Sequence, residues 1–255
     1  MTSSPAQQAR LAIREGRHNG PTHGLAPGFV QCNLVIVRQP LAYDFLVYCQ
    51  RNPRACPVLE ITDPGDPEPR RLAAGADLRS DLPKYAVYRQ GRRMGDETRI
   101  THLWEPGLVS FLIGSGISFD QALERAGVPT HQHRWVLRTT LPTVPAGPFR
   151  GPLIVTMRWL TPAQAIVATQ VTARFPWNHG APLHIGDPAA IGADLAHPLH
   201  GLPVGTIPSE YVPCFWACGV TPQAAAEAAG IDLMITHAPA HGFISDLKSD
   251  EICLP

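Results

Sequence analysis

The sequence lacks an excess of charge of either sign: lysine plus arginine and aspartate plus glutamate each come to 21 in 255 residues. No basic run exceeds a pair, so the electrostatic footprint of a nucleic-acid binder is missing. No stretch approaches the roughly 18 apolar residues that a membrane helix needs, and the N-terminus lacks the apolar segment of a signal peptide. The expectation is a cytoplasmic protein with neither nucleic acid nor membrane as a partner. Cysteine is sparse: Cys32, Cys49, Cys56, Cys214, Cys218 and Cys253 include no Cys-x-x-Cys pair. That usage fits reduced, buried thiols better than a disulfide framework or a structural zinc. The dinucleotide fingerprint, the phosphate-loop lysine and the Gly-x-Ser-x-Gly elbow are absent too, which disfavours nucleotide binding and the common α/β serine hydrolases.

What is abundant is proline, 27 residues, and glycine, 22, set among apolar runs in a chain that is 44% hydrophobic. Rigid turns around a substantial core follow from that, rather than disorder. Three helices begin at a hydroxyl residue followed by proline, at Ser4-Pro5, Thr161-Pro162 and Thr221-Pro222, where the hydroxyl caps free amides and proline pre-sets φ. A fourth is expected from Ser118, with Gln121 completing a capping box and Gly127 as the stop. A fifth runs from Leu41 to Asn52 and stops at Pro53. Strands are expected at Phe29 to Val37, Val58 to Ile61, Leu153 to Trp159, Val212 to Cys218 and Ile231 to Thr236. The segment from Asp63 to Asp81 reads as a long ordered loop or a flap.

The order is α/β. Proline-rich joints at 141–152 and 198–213 mark boundaries, giving a mixed-sheet main domain of residues 1–129 and 201–255. A smaller α+β domain, 130–200, is inserted into it.

Polar residues collect at the ends of apolar runs in three places: Gly20 to Gly28, His179 to Pro188, and the pair of segments Trp216 to Gln223 and Ile235 to Gly242. One polar site assembled from these segments is expected. His184 with Asp187, and His237 with His241, are candidates for proton transfer, because the imidazole titrates near neutrality. They are also candidates for a divalent metal, although Pro239 keeps His237 and His241 from sharing one helical face; no cofactor is called for outright. With 11 histidines in the chain, each alone also fits a surface or capping role.

Cys218 precedes a helix start, where a thiol is activated, yet it equally fits a tight turn. The backbone around Gly219 and Thr221 offers amides to a carboxylate or phosphate. Thr22, Gln31 and Asn33 lie in or beside an apolar strand, where a polar group needs a partner, so they can meet substrate or bond internally. Arg14, Arg138 and Arg174 are the arginines suited to grip a carboxylate two-fold, or to form structural ion pairs.

A series of motifs spans nearly the whole chain: Ala9-Arg10 to Gly16, Gly20-Pro-Thr-x-Gly24-x-Ala-Pro-Gly28, Gln31-x-Asn33, Cys49-Gln-Arg-Asn-Pro53, Cys56-Pro-x-Leu-Glu60, Gly75-Ala-Asp-Leu-Arg79, Phe111-Leu-Ile-Gly114, Arg174-Phe-Pro176, His179-Gly-Ala-Pro-x-His184-Ile-Gly-Asp-Pro188 and Phe215-Trp-Ala-Cys-Gly-Val-Thr-Pro-Gln223. The succession resembles the hydro-lyase family related to D-glutamate cyclase. The resemblance implies a two-domain α/β fold and a lyase of amino-acid metabolism, with closure of D-glutamate to 5-oxo-D-proline and loss of water as the expected reaction. Two departures stand out. Ser115-Gly-Ile-Ser-Phe119 occupies the place where relatives usually carry a cysteine, and Ala240 the place where they often carry glycine, a mild change unless that backbone needs positive φ.

For that reaction Arg138 or Arg174 is expected to hold one carboxylate, the amides before the Thr221 helix the other, and His184 with Asp187 or His237 to move protons. A hydratase of an unsaturated or hydroxy acid and a non-catalytic small-carboxylate binder are the competing readings. A homodimer stays open.

Overall fold

The computed structural model describes residues 3–130, 132 and 134–255. In chain order it forms α1 (Pro5–Arg14), β1 (Phe29–Arg38), α2 (Gln39–Arg51), β2 (Val58–Ile61), β3 (Tyr85–Arg89), β4 (Arg92–Glu97), β5 (Leu108–Gly114) and α3 (Asp120–Arg125). Then follow β6 (Arg134–Pro142), β7 (Pro152–Leu160), α4 (Pro162–Ala173), β8 (His184–Ile185), β9 (Val212–Ala217), α5 (Thr221–Ala229), β10 (Leu233–His237) and β11 (Phe243–Lys248). Among the described residues no helix is long and apolar enough to cross a membrane.

The strands form two sheets. One has seven strands in the order β2-β5-β1-β10-β3-β4 with β11 also on β1, and the other has four in the order β6-β7-β9-β8. The fold is α/β as expected, but the mixed sheet is not found: every pairing between the described strands is antiparallel. Strand direction is set by which segments meet across the sheet, and no local pattern encodes it. β9, read from the sequence with the main unit, lies between β7 and β8 in the four-stranded sheet.

β1 is the centre of the larger sheet and its residues 30–37 are buried. Alternation sends Val30, Cys32, Leu34 and Ile36 into a core beneath the 63–81 loop, whose Leu72, Ala73, Ala76 and Leu78 pack there. That segment is therefore an ordered loop on the far face: Glu60 accepts from the amides of Arg71 (2.9 Å) and Leu72 (2.8 Å). Val35 and Val37 point the other way, into a core shared with Ala217, Ala225 and Phe149 of the second layer. Gln31 and Asn33 share that face.

Two helix starts are capped as the sequence implies, with reciprocal boxes Ser4–Gln7 and Thr161–Gln164. The other two differ. Ser118 does not cap α3; its hydroxyl accepts from the Gln31 amide at 2.9 Å. Thr221 is the first residue of α5 rather than its cap, and its hydroxyl donates to Cys218 O at 2.7 Å while accepting from Ile154 N at 3.2 Å. Partners from distant strands win these hydroxyls because both residues are buried.

Candidate functional site

Along one edge of β1, β10 pairs only as far as Val35–Thr236 and β11 begins only at Cys32–Phe243. In the gap the Leu34 amide meets the His237 ring instead of a strand partner, 3.2 Å from Nδ1. The loop between β10 and β11 turns there through Ala240, a non-glycine residue held at φ 67°. Facing this gap, the inner side of the second sheet presents Arg134 and Val136 on β6, Thr156 and Arg158 on β7, and Trp216 on β9. A cavity of about 280 Å³ lies between the two layers, lined by these residues together with Asn33, Ser115, His179, Cys218, Gly219 and His237. That size is in the class of small-metabolite sites.

The electrostatics of the cavity follow from strand register. Arg134 and Arg158 are directly opposite each other across β6 and β7, a like-charge pairing that costs free energy by itself. Asp120, at the start of α3, lies between them: Oδ2 is 3.1 Å from Arg134 Nη1 and Oδ1 is 2.6 Å from Arg158 Nη2. His23 Nδ1 stands 3.5 Å from the same carboxylate. The two guanidiniums share this carboxylate, and Glu124 also acts on the Arg158 charge. Arg158 is only 2% exposed, stacked near Phe119 and Trp216, and its Nε and Nη1 have no hydrogen-bond partner among the described residues. Buried, unmatched N–H groups of a charged side chain cost about 1–3 kcal/mol or more each.

The histidines are the other polar feature. His179 is buried at φ 80°, and its Nδ1 donates to Arg54 O at 2.8 Å. Burial pushes its pKa down to about 4, and burial does the same at His237, so both are neutral at neutral pH. Burial also pushes the Cys218 thiol up, against the Thr156 hydroxyl and the Val220 amide, which favour the thiolate. Cys218 is a protonated wall residue at neutral pH, and all six cysteines are free.

The three segments expected to converge do so, through His23 of the first, His179 of the second, and Cys218, Gly219 and His237 of the third. Asn33 joins them. The remaining candidates do not line the cavity. Thr22 and Gln31 stand behind it, tied to each other by Gln31 Nε2 to Thr22 O at 2.8 Å and, through Thr22 N, to Ala240 O at 2.9 Å. His184 Nε2 donates to Asp187 O at 2.8 Å, and the Asp187 carboxylate accepts from Ala189 N at 2.9 Å. His241 Nδ1 donates to Pro239 O at 2.7 Å.

Arg138 faces Glu227 at 3.8 Å in solvent, Arg174 Nε donates to Leu254 O at 2.9 Å, and Arg14 forks onto Asp81. The amides at the α5 start are largely spent inside the turn, with Thr221 N on Cys218 O and Gln223 N on Val220 O, both at 3.0 Å. Among the described residues no three of His, Cys, Asp and Glu gather to hold a metal ion. Missed by the sequence reading were Asp120, Arg134, Arg158 and His179. His179 opens one of the three segments singled out, and Arg158 carries a signal of its own, since it interrupts the apolar run 153–160 on the same alternate face as Thr156.

The fold and site thus define a pocket walled by two arginines and built between two antiparallel sheets. The chain belongs to the D-glutamate cyclase family, whose model matches residues 109–246. It is 50% identical over 255 residues to a protein named "Putative hydro-lyase" from Stutzerimonas stutzeri, covering 98% of this chain and 96% of that one. Proteins of the same general name from Bacillus licheniformis and Rubrobacter xylanophilus are each 48% identical. The first match covers 96% of this chain and 95% of the relative, and the second 98% and 99%. Among solved structures, a nitrogen repressor-like protein from Methanococcus jannaschii overlaps 91% of this chain and 92% of its own at a TM-score of 0.39 and 10% identity, a likeness too weak to carry an inference.

Proposed function

We propose that this chain is a hydro-lyase of a small amino acid, closing D-glutamate to 5-oxo-D-proline with loss of water. The observation that carries the reading is the Arg134–Arg158 pair, set opposite each other across β6 and β7 in the cavity wall with Asp120 between them. A planar guanidinium is the complement of a carboxylate, and pairing in a dry site is worth more than in water. The grip assigned by sequence to Arg138 or Arg174 accordingly passes to Arg158, with Arg134 beside it.

Lactam closure needs an acid anchor, a base for the amine and donors for the oxygen that gains charge. Asn33, Cys218, Gly219 and His237 surround the reacting end in this reading, while His184, Asp187, His241 and Thr221 serve the structure around it. The test is turnover of D-glutamate by the purified chain beside a panel of hydroxy and unsaturated acids, with 5-oxo-D-proline as the product assayed. Water release that requires the substrate amine supports the cyclase. Equal turnover of acids without an amine would replace it with a hydratase.

A further inference from the structure

Two buried imidazoles line the cavity, and their hydrogen bonds set opposite tautomers. A peptide carbonyl only accepts, so the 2.8 Å bond from His179 Nδ1 to Arg54 O places the ring proton on Nδ1 and leaves Nε2 with a free lone pair. Arg54 completes a clamp: its Nε donates to His179 O at 2.9 Å and its Nη2 donates to Ala181 O, across the residue held at φ 80°. A left-handed non-glycine residue persists only where its surroundings hold it, and such strain collects at functional positions.

At His237 the order is reversed. Nδ1 lies 3.2 Å from the Leu34 amide and 3.4 Å from the Leu34 carbonyl, and we take the shorter bond, in which the amide donates to Nδ1 and the ring proton sits on Nε2. The parting of β10 from β11 is what leaves that amide for the ring.

We propose that His179 and His237 are the catalytic pair of this cavity, His179 Nε2 carrying protons and His237 Nε2–H holding the oxygen that gains charge. This rests on the cyclase reading above. His179 takes one proton from the ammonium group, the freed amine attacks the γ-carboxyl carbon, and the new C–N bond puts charge on an oxygen held by His237. Protonated His179 then gives its proton to the departing oxygen. A second proton leaves the nitrogen by the same path, the C–O bond breaks, and water departs. Both hydrogens lost from nitrogen end in that water, and the imidazole finishes as it began. A neutral imidazole cannot act as a strong acid, so His237 donates a hydrogen bond and keeps its proton, as neutral histidines do in other enzymes that polarise carbonyls.

The experiment begins without substrate. Long-range proton–nitrogen spectra of the chain labelled at histidine, assigned with His179→Asn and His237→Gln, are expected to show Nδ1-protonated His179 and Nε2-protonated His237. The same tautomer at both would overturn the proposal. Asparagine keeps a donor for Arg54 O and tolerates the left-handed backbone, so His179→Asn is expected to bind 5-oxo-D-proline within about threefold of the wild type while turning over D-glutamate at least ~100-fold slower. Glutamine keeps a donor near Nε2, so His237→Gln is expected to retain more turnover than His237→Phe. Turnover by His179→Asn within about tenfold of the wild type would overturn the proposal too. A wild-type chain that binds but does not convert D-glutamate would remove the cyclase reading and the steps written on it, whereas the spectra judge the tautomers independently.

Discussion

The side-chain amide of Asn33 fills the space that a Cβ at position 219 would occupy: an ideal Cβ on Gly219 would fall 1.9 Å from Asn33 Nδ2 and 2.4 Å from its Cγ. Asn33 is fixed there by a 2.9 Å bond from Nδ2 to Gly114 O, and Gly219 follows the last residue of β9 by two positions. The contact joins the two sheets at the cavity. Close approach, rather than an unusual backbone angle, is therefore what requires glycine. Gly219→Ala is expected to lose about 1–3 kcal/mol of stability through overpacking, read from the urea midpoint, and to lose turnover with it. Shortening the partner in Asn33→Ser/Gly219→Ala is expected to return part of that stability. An unchanged midpoint in Gly219→Ala alone would show that the sheets are not tightly apposed here.

Arg158 and the arginines nominated from sequence make opposite predictions. Lysine keeps the charge and a bond to Asp120 but loses the planar guanidinium. Arg158→Lys is thus expected to weaken 5-oxo-D-proline binding by roughly 10–100-fold, equivalent to about 1.4–2.7 kcal/mol. Arg138→Ala and Arg174→Ala, whose side chains face Glu227 and Leu254 O, are expected to stay within about threefold of the wild type. Isothermal titration of the three variants decides between the two sets.

The buried histidines make stability depend on pH in a defined window. His179 and His237 have pKa values lowered from 6.5 to about 4 by burial, so between those values the unfolded chain binds protons that the folded chain refuses. Their contribution is complete above pH 6.5 and is lost as the pH falls toward 4, on the order of 3 kcal/mol for each residue. Urea unfolding at pH 7 and pH 5 is expected to show lower stability at pH 5. The double variant His179→Asn/His237→Gln should have a flatter slope over this range. A slope equal to that of the wild type would mean that neither ring is held neutral.

Ala240 sits at φ 67° in the loop that closes the cavity, where its carbonyl accepts from Thr22 N at 2.9 Å. The left-handed region costs alanine about 1–2 kcal/mol, against roughly 0.5–1 kcal/mol of extra chain entropy for glycine. Ala240→Gly is expected to raise the melting temperature by about 1–4 °C with binding retained. A lower melting temperature would show that the loop does not hold this conformation.

Local signals were readable and long-range ones were not. Ser4-Pro-Ala-Gln7 and Thr161-Pro-Ala-Gln164 announce capped helices because every partner lies within four residues. The same kind of pattern at Thr221 marks the helix and misstates the cap, since Ile154 of β7 competes for that hydroxyl. β4 escaped notice because all six of its residues are exposed, leaving no alternation to read. At the site, the convergence of three segments was legible from polar residues at the ends of apolar runs. Which residues of those segments meet was not, because Arg134, Arg158 and Asp120 come together only through the β6–β7 register and the docking of α3.

The most direct test is a crystal structure of the chain with 5-oxo-D-proline bound. The ligand carboxylate is expected in the cavity between the sheets, within about 3 Å of a guanidinium nitrogen of Arg134 or Arg158. A carboxylate bound instead beside His184 and Asp187, or on Arg138 or Arg174, with the cavity between the sheets unfilled, would contradict the account.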